Sequence, residues 1–170
     1  MNIFVLARYP AAAASLLADV HVRKMCLETA QILSSVIVRD LGKEALFSIV
    51  DAGGPKEYNI MHPVIQAVQL HNGTAGWVLD HNSALHREYE CRFGKQHAYS
   101  NLVQHYMDIF RDAHVTNYSA ETYKLFCCCF GDFKPSHCNL VLAYRDYYKH
   151  KKQTIRNWKY TNKSEPSWLR

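Results

Sequence analysis

Several features are missing from this sequence, and their absence narrows the class of protein. No run of about 18 apolar residues occurs, so we expect no membrane-spanning helix. The first residues lack a basic stretch ahead of their apolar segment, which argues against a signal peptide and for a cytoplasmic protein. Only 7 glycines and 5 prolines accompany an apolar content of 48%, which excludes a disordered or fibrous chain. The 170 residues fit one domain spanning residues 1–170.

Cysteine is present, but the spacing typical of zinc sites is not. No C-x-x-C pair occurs, although Cys127, Cys128 and Cys129 are adjacent and His137-Cys138 follows them. Adjacent cysteines on an ordinary helix or strand rarely point at one ion. Without a secretory signal, thiols are expected to be reduced, and cysteine is commonly a core residue. We therefore predict core packing, no metal site and no cofactor.

The first 140 residues carry almost no net charge, since they hold 12 basic and 13 acidic residues. Residues 141–170 hold eight basic and two acidic residues together with six tyrosine and tryptophan rings. Cations interleaved with flat rings are typical of a nucleic-acid surface, and a solvated helix with a loose tail is the alternative. We expect duplex DNA as the partner, with Lys151, Lys152 and Trp168 touching it.

The hydrophobic pattern indicates a mainly α protein, a compact helical bundle with a short extended N-terminal arm. One apolar stripe recurs every three to four residues at Val22, Met25, Cys26, Thr29, Leu33 and Val36. Strand evidence is thin, since the best candidate, residues 45–50, fits a helical extension equally well. Helices are predicted over residues 11–41 with a break near Asp19 and a stop at Gly42, and over residues 63–70, 74–92 with Thr74 as cap and Gly94 as stop, 100–112 and 139–152.

Polar residues on the first long helix form the first candidate site. Steps of three, four and three place His21, Lys24, Glu28 and Gln31 on one face. A base, an amine and a carboxylate within reach of one another can transfer protons or form a Schiff base. The alternative is a solvated helix face carrying a Lys24–Glu28 pair worth a few tenths of a kcal/mol.

Two further groups of residues are candidates for binding phosphate. His62 stands before Pro63 at a predicted helix start, where anions are favoured. The second group surrounds the end of the next helix, where His86 and Tyr89 share a face and Glu88 pairs with Arg92. The turn at Gly94 would let Lys95 and His97 project from the helix end, where they could bind a phosphate together with the guanidinium of Arg92.

Short motifs resemble the phage pyrimidine-dimer DNA glycosylases, the endonuclease V family. The segment Leu17-Ala18-Asp19-Val20-His21, with Glu28 seven residues after the histidine, is similar to the start of that family, and Pro166-Ser167-Trp168 is similar to its Pro-Thr-Trp. A group of uncharacterised phage proteins labelled as relatives of that family shares longer motifs with this chain. They are Met1-Asn2-Ile3-Phe4, His21-x-x-Lys24-Met25, Glu28-Thr29-Ala30-Gln31, His62-Pro63 and Tyr89-x-x-Arg92-Phe93-Gly94-Lys95-x-His97.

The resemblance implies a helical enzyme that flips a nucleotide out of duplex DNA and excises a damaged or modified pyrimidine as a glycosylase and lyase. Glu28 would take the role of the catalytic carboxylate. The family uses the α-amine of a threonine as nucleophile, whereas Asn2 stands second here, so the nucleophile would be the α-amine of Met1, or Lys24, unless the chemistry has changed.

Two other functions remain open at this point. The cationic residues would suit a transferase that displaces pyrophosphate from a hydroxymethyl-pyrimidine in phage DNA with an amine or amino acid. A DNA-binding accessory protein without activity is the third. On any of these readings the basic tail holds the DNA, so deleting residues 153–170 should weaken binding far more than folding. The oligomeric state is not fixed by the sequence.

Overall fold

A computed structural model of the chain describes residues 1–126 and 130–170. The helices follow one another along the chain without an intervening strand in these two ranges, which confirms the mainly α prediction. Their bounds are α1 Pro10–Ser15, α2 Asp19–Leu41, α3 Phe47–Asp51, α4 Pro63–Ala67, α5 Thr74–Phe93, α6 Leu102–Asp112 and α7 Leu140–Thr154, with short 3-10 turns at Glu44–Leu46, Thr122–Leu125 and Ser167–Leu169.

The long helices α2 and α5 form the centre of the molecule, because both bury a full apolar stripe. All six residues of the predicted stripe on α2 are buried. A hydrogen bond from Asn82 Nδ2 to Thr29 Oγ1 (2.7 Å) fixes the two helices against each other. The hydroxyls of Tyr106 in α6 and Ser34 in α2 share a hydrogen bond of 2.8 Å, which holds α6 against the C-terminal half of α2.

Several predicted boundaries are confirmed, and the rest shift for local reasons. Gly42 and Gly94 end α2 and α5 as expected. Residues 45–50 are helical rather than extended. Helix α4 stops at Ala67, because the backbone amide of Gln69 donates to Thr74 Oγ1 (2.8 Å). Thr74 therefore closes the turn before α5 instead of capping it, and Gly73, with φ of 83°, takes the cap position.

The N-terminal segment lies outside the helices, as predicted, but it does not project from the body. Residues Ile3 to Leu6 are buried, and the Leu6 amide donates to the Phe4 carbonyl (2.7 Å) in a tight turn. Phe4 packs on His21 with ring centroids 4.7 Å apart. The segment is therefore part of the core beside α2, and it brings Met1 to the same side of that helix as His21.

The C-terminal tail is packed on the body, which corrects the expectation of a loose or purely DNA-holding segment. Trp158 packs edge-on against the rings of Tyr148 and His21, with centroid distances of 4.8 Å and 5.2 Å. Thr161 donates its hydroxyl (2.6 Å) and its amide (3.0 Å) to Asp19. Because these contacts close the start of α2, the tail contributes to folding as much as to any surface.

Cysteine packing follows the prediction only in part. Cys26 is buried between helices, whereas Cys91 and Cys138 are exposed. The adjacent trio Cys127, Cys128 and Cys129 lies outside the described residues. Among the residues that the structure does describe, no helix combines the length and apolarity needed to cross a bilayer.

Candidate functional site

The predicted catalytic residues meet in one cleft beside the start of α2. Its volume is about 270 Å³, slightly below the range of about 300–1,000 Å³ typical of ligand clefts. The lining residues are Met1, Asn2, Phe4, His21, Lys24, Glu28, Tyr147, Lys151 and Ile155. We call this space the Glu28 cleft. All four predicted catalytic residues and one predicted DNA-binding lysine line it.

An amine and a carboxylate stand side by side in the Glu28 cleft. Lys24 Nζ lies 3.2 Å from Glu28 Oε1, one helical turn apart on α2. The Lys24 side chain is 62% exposed, while that of Glu28 is only 13% exposed. The carboxylate is therefore held in the wall of the cleft, and the amine is free to meet a ligand from solvent.

His21 sits deep in the wall of the cleft and is a neutral base. Its Nδ1 lies 2.8 Å from the Tyr148 hydroxyl, which also accepts a hydrogen bond from the Ala18 amide (2.8 Å). Burial lowers the pKa of His21 to about 4, and the cations Lys24 and Lys151 push it in the same direction. His21 is thus uncharged at neutral pH and positions its neighbours rather than supplying a cationic acid.

His62 lies at the start of α4 and is not among the residues that line the Glu28 cleft. Its Nδ1 accepts the amide of Val64 (3.2 Å), so the side chain itself occupies the helix start at which a phosphate was predicted. Its pKa is lowered by partial burial and by the charge of the chain's N-terminus, and Glu28 opposes that shift.

A second cleft, rich in cations, adjoins the Glu28 cleft and shares Lys24 with it. Its volume is about 540 Å³, and it is lined by Asp19, Val20, Arg23, Lys24, Arg156, Asn157 and Lys159. We call it the cationic cleft. The only acid among these residues, Asp19, is 2% exposed and already bound to Arg92 and Thr161. The field in this space is therefore positive and suits an anion.

Sequence reasoning missed most of the cationic cleft. Arg23 neighbours Lys24 on α2, but Arg156 and Lys159 reach it only because the chain after α7 folds back over the start of α2. A backbone hydrogen bond from Asp19 to the Lys159 carbonyl (2.9 Å) fixes that return. The basic tail was the available signal, and it pointed to the right segment but not to these residues.

Arg92 does not serve as a surface phosphate ligand, which corrects the prediction for this residue. Its side chain is 1% exposed and donates to Asp19 (3.1 Å), Glu88 (2.6 Å) and the carbonyls of Leu17 and Ser15. The guanidinium is thus saturated inside the protein, where it joins α5 to the segment between α1 and α2.

The remaining predicted DNA-binding residues are scattered. Lys95 is exposed at the end of α5, while Tyr89 packs edge-on against His97 (5.0 Å), away from the Glu28 cleft. Lys152 binds Glu165 (2.8 Å) and the Leu169 carbonyl (3.3 Å) inside the tail. Trp168 lies under Arg145, with the guanidinium 5.1 Å from its ring centroid. Lys152 and Trp168 therefore anchor the tail, whereas Lys151 faces the Glu28 cleft.

No family model, curated protein or solved structure matches this chain. Function is accordingly argued from the two clefts and the groups that line them.

Proposed function

We propose that this chain acts on bases of duplex DNA as a glycosylase and lyase, with Glu28 as its catalytic carboxylate. One observation carries the proposal: the Lys24–Glu28 pair, 3.2 Å apart, stands where a cleft large enough for a small ligand opens beside a cationic cleft. The resemblance to the pyrimidine-dimer glycosylases supports the same reaction, because its motif residues His21, Lys24 and Glu28 share that cleft.

The pair can perform both proton transfers that excision requires. Glu28 takes a proton from the attacking ammonium group, and the freed amine nitrogen forms a bond to C1′ of the sugar while the bond from C1′ to the base breaks. The base leaves with the electron pair and receives the proton from Glu28. During this exchange the carboxylate stabilises the positive charge that develops on the sugar.

Two amines are available for the attack in the Glu28 cleft, Lys24 Nζ and the α-amine at Met1. The C1′–O4′ bond then breaks, a proton passes from the nitrogen to O4′, and an imine forms between the nitrogen and C1′. Glu28, ionised again after giving its proton to the base, takes a proton from C2′, and the 3′ phosphate leaves with the electron pair of the C3′–O bond, which nicks the strand. His21 is neutral, so it holds the wall of the cleft through Tyr148 while these charges move. Its low pKa keeps a further positive charge away from the attacking amine.

The cationic cleft supplies the binding energy for the DNA backbone in this proposal. Arg23, Arg156 and Lys159 are exposed cations that can neutralise phosphates, and Arg offers a planar pair of donors to each phosphate. A phosphate there would place its own nucleoside against Lys24, which both clefts share. This arrangement suits a flipped nucleotide whose sugar enters the Glu28 cleft.

Reductive trapping tests the proposal directly. The protein is incubated with duplex DNA that contains abasic sites or pyrimidine dimers, in the presence of borohydride, and the adduct is digested and sequenced by mass spectrometry. We expect a covalent adduct on Lys24 or on Met1, and we expect Glu28→Gln to abolish it. The matched control Glu90→Gln, an exposed change on α5, should trap as the parent does. Absence of any adduct and of nicking across a lesion panel would refute the proposal.

A second candidate function is favoured by the charge of the cationic cleft. Four cations line it, more than removal of a neutral base demands, and they would suit the transferase that replaces a pyrophosphate on hydroxymethyl-pyrimidine DNA. In that reaction an amine nitrogen bonds to the methylene carbon, the carbon–oxygen bond breaks and pyrophosphate leaves. Pyrophosphate release from pyrophosphorylated DNA in the presence of amine donors identifies this activity. Binding of DNA with neither reaction would identify the accessory protein instead.

A further inference from the structure

Three residues whose side chains carry sulfur or nitrogen ligand atoms converge on the side of α2 away from the Glu28 cleft. Cys26 lies on α2, His86 on α5 and His97 in the segment that follows α5. Their ligand atoms, one thiol sulfur and two ring nitrogens, all lie within 4.8 Å of one another. The His86 and His97 rings meet edge-on with centroids 5.4 Å apart. This cluster contains no residue of the Glu28 cleft or of the cationic cleft.

His86 is the observation that calls for a ligand. It is 7% exposed, and within residues 1–126 and 130–170 neither Nδ1 nor Nε2 has a hydrogen-bond partner. The other buried histidines are bonded, His21 to Tyr148 (2.8 Å) and His81 to the Pro10 carbonyl (3.0 Å). A buried imidazole without any partner is costly, and buried polar groups are nearly always satisfied. One of its ring nitrogens lies within 4.8 Å of the ligand atoms of Cys26 and His97.

We propose that Cys26, His86 and His97 bind a zinc ion. Imidazole and thiolate are the ligands that zinc takes in proteins, and three protein ligands leave a fourth position for water or a substrate atom. Zinc–nitrogen and zinc–sulfur bonds of about 2.0–2.3 Å place tetrahedral ligand atoms about 3.5 Å apart. The cluster must therefore close by about 1 Å, within the reach of side-chain rotation at its outer member.

His97 is that outer member, because it is half-buried and follows the turn at Gly94. The Tyr99 amide donates to its Nδ1 over 3.2 Å, so Nε2 is the nitrogen that would bind the ion, and the ring has to turn away from the Arg23 backbone to present it. The rings of Tyr89 (5.0 Å) and Tyr99 (5.7 Å) flank His97 and shield the cluster.

Zinc binding at this cluster would release a proton. Burial lowers the pKa of His86 to about 4, and the neighbouring His97 acts in the same direction, so the ring is a neutral ligand at neutral pH. Burial raises the pKa of the Cys26 thiol to about 12. Zinc therefore has to displace the thiol proton, and we expect about one proton released for each ion bound.

Cobalt binding tests the assignment on the full-length chain. Cobalt(II) is added to metal-free protein, and thiolate ligation is detected as a sulfur-to-cobalt charge-transfer band. We expect the parent to show the band at one equivalent and Cys26→Ser and His97→Gln to lose it. The matched control Cys91→Ser changes an exposed cysteine outside the cluster and should keep the band. Because Cys127, Cys128 and Cys129 are present in every variant, the difference between Cys26→Ser and the control reports the cluster alone.

Thermal unfolding with zinc gives a second, independent readout. A ligand that binds only the folded state raises Tm in proportion to the logarithm of its concentration over Kd. We expect zinc to raise the Tm of the parent and of Cys91→Ser, and to leave the Tm of His97→Gln unchanged. Because His97 is half-buried, we expect His97→Gln to fold. Loss of the zinc-induced rise in Tm in this variant therefore reports loss of zinc binding rather than loss of folding. Equal shifts or equal cobalt spectra in parent, Cys26→Ser and His97→Gln would overturn the assignment.

The zinc proposal is independent of the proposed DNA chemistry. The metal tests use no nucleic acid, and the reductive trap uses residues on the other side of α2. Each of the two proposals can therefore fail without the other.

Discussion

The two sides of helix α2 carry groups of similar chemistry in opposite environments. His21, Lys24 and Glu28 face a cleft open to solvent, and two of the three carry charge in an ion pair of 3.2 Å. Cys26 stands between Lys24 and Glu28 in the sequence, about 200° around the helix from each. It faces α5 with His86, where the groups are buried and uncharged. One helix thus holds a charged cleft on one side and a neutral cluster on the other.

The difference teaches where each kind of chemistry can occur. Solvent reaches the ion pair in the Glu28 cleft, and such a pair can contact a polyanion and transfer protons. Neutral soft ligands in a dry site cannot attract phosphate, but they can hold a transition metal. The predictions that follow change residues around this contrast, from the largest expected effect to the smallest.

Replacing Glu28 with Gln should have the largest effect on excision. The change keeps the size of the side chain and removes both the proton acceptor for the amine and the negative charge. Loss of a general acid–base group costs about 10²–10⁴-fold in rate. Single-turnover nicking of lesion-bearing duplex DNA measures it. A variant with the parent's rate would show that the cleft does not carry the reaction.

Replacing Arg92 with Met should have the largest effect on stability. The change leaves the carboxylate of Asp19 buried without its cation, and Asp19 is 2% exposed. Breaking a buried ion pair by removing one partner costs about 3–5 kcal/mol in the free energy of unfolding. Urea denaturation followed by circular dichroism measures the loss. A loss below about 1 kcal/mol, as exposed pairs give, would contradict the buried role of Arg92.

Deleting residues 153–170 should destabilise the fold strongly, which reverses the expectation from the sequence. The deletion removes Thr161 from Asp19 and Trp158 from His21, and it exposes Tyr148. We expect a clear fall in Tm, measured by differential scanning calorimetry. The shorter deletion of Arg170 alone is the control, and it should leave Tm near that of the parent. A truncated chain with the parent's Tm would restore the view of a loose tail.

Acid should weaken the same network through Asp19. Burial alone would raise the pKa of this carboxyl, but hydrogen bonds from Thr161 and Arg92 outweigh it and hold the pKa below its usual 3.8. The contribution of Asp19 is therefore complete above about pH 4 and is lost as pH falls through the lower folded value. Thr161→Val should flatten the dependence of unfolding free energy on pH below 4. An unchanged dependence in that variant would exclude Asp19 as its source.

Reversing one charge in the cationic cleft should have the smallest effect. Lys159→Glu should weaken DNA binding. It should also lower the slope of the logarithm of the binding constant against the logarithm of salt concentration by the contribution of roughly two phosphate contacts, because one contact is lost and one phosphate is repelled. The control Lys134→Glu makes the same change of charge at an exposed residue outside the cleft. Fluorescence anisotropy across a salt series compares them. Equal slopes for both variants would show that DNA does not use the cationic cleft.

Local sequence patterns predicted most of the helices. The apolar stripe on α2 and the helix ends at Gly42 and Gly94 could be predicted from the sequence, because each depends only on residues within or next to one helix. The helix face with His21, Lys24 and Glu28 was readable for the same reason. The C-terminal end of α4 was not, because the Gln69 amide donates to the Thr74 hydroxyl across the turn.

The parts of the site that the sequence missed depend on residues far apart in the chain. Arg92 resembled a phosphate ligand on its own helix, and only the approach of Asp19 shows it to be internal. Cys26 and His86 are 60 residues apart, so no spacing motif joins them. Arg156 and Lys159 enter the cationic cleft through the return of the chain after α7. Local periodicity contains none of these contacts, because tertiary packing makes them.

The central claim is that the Glu28 cleft performs chemistry on DNA bases. Mass spectrometry of the nucleosides and free bases left after incubation with lesion-bearing and hypermodified duplex DNA tests it most directly, since excision and modification give different products. The account predicts a free base or an altered nucleoside with the parent protein and with Glu90→Gln, and neither product with Glu28→Gln. Unchanged nucleosides with the parent protein on every substrate, or the same products with Glu28→Gln, would contradict it.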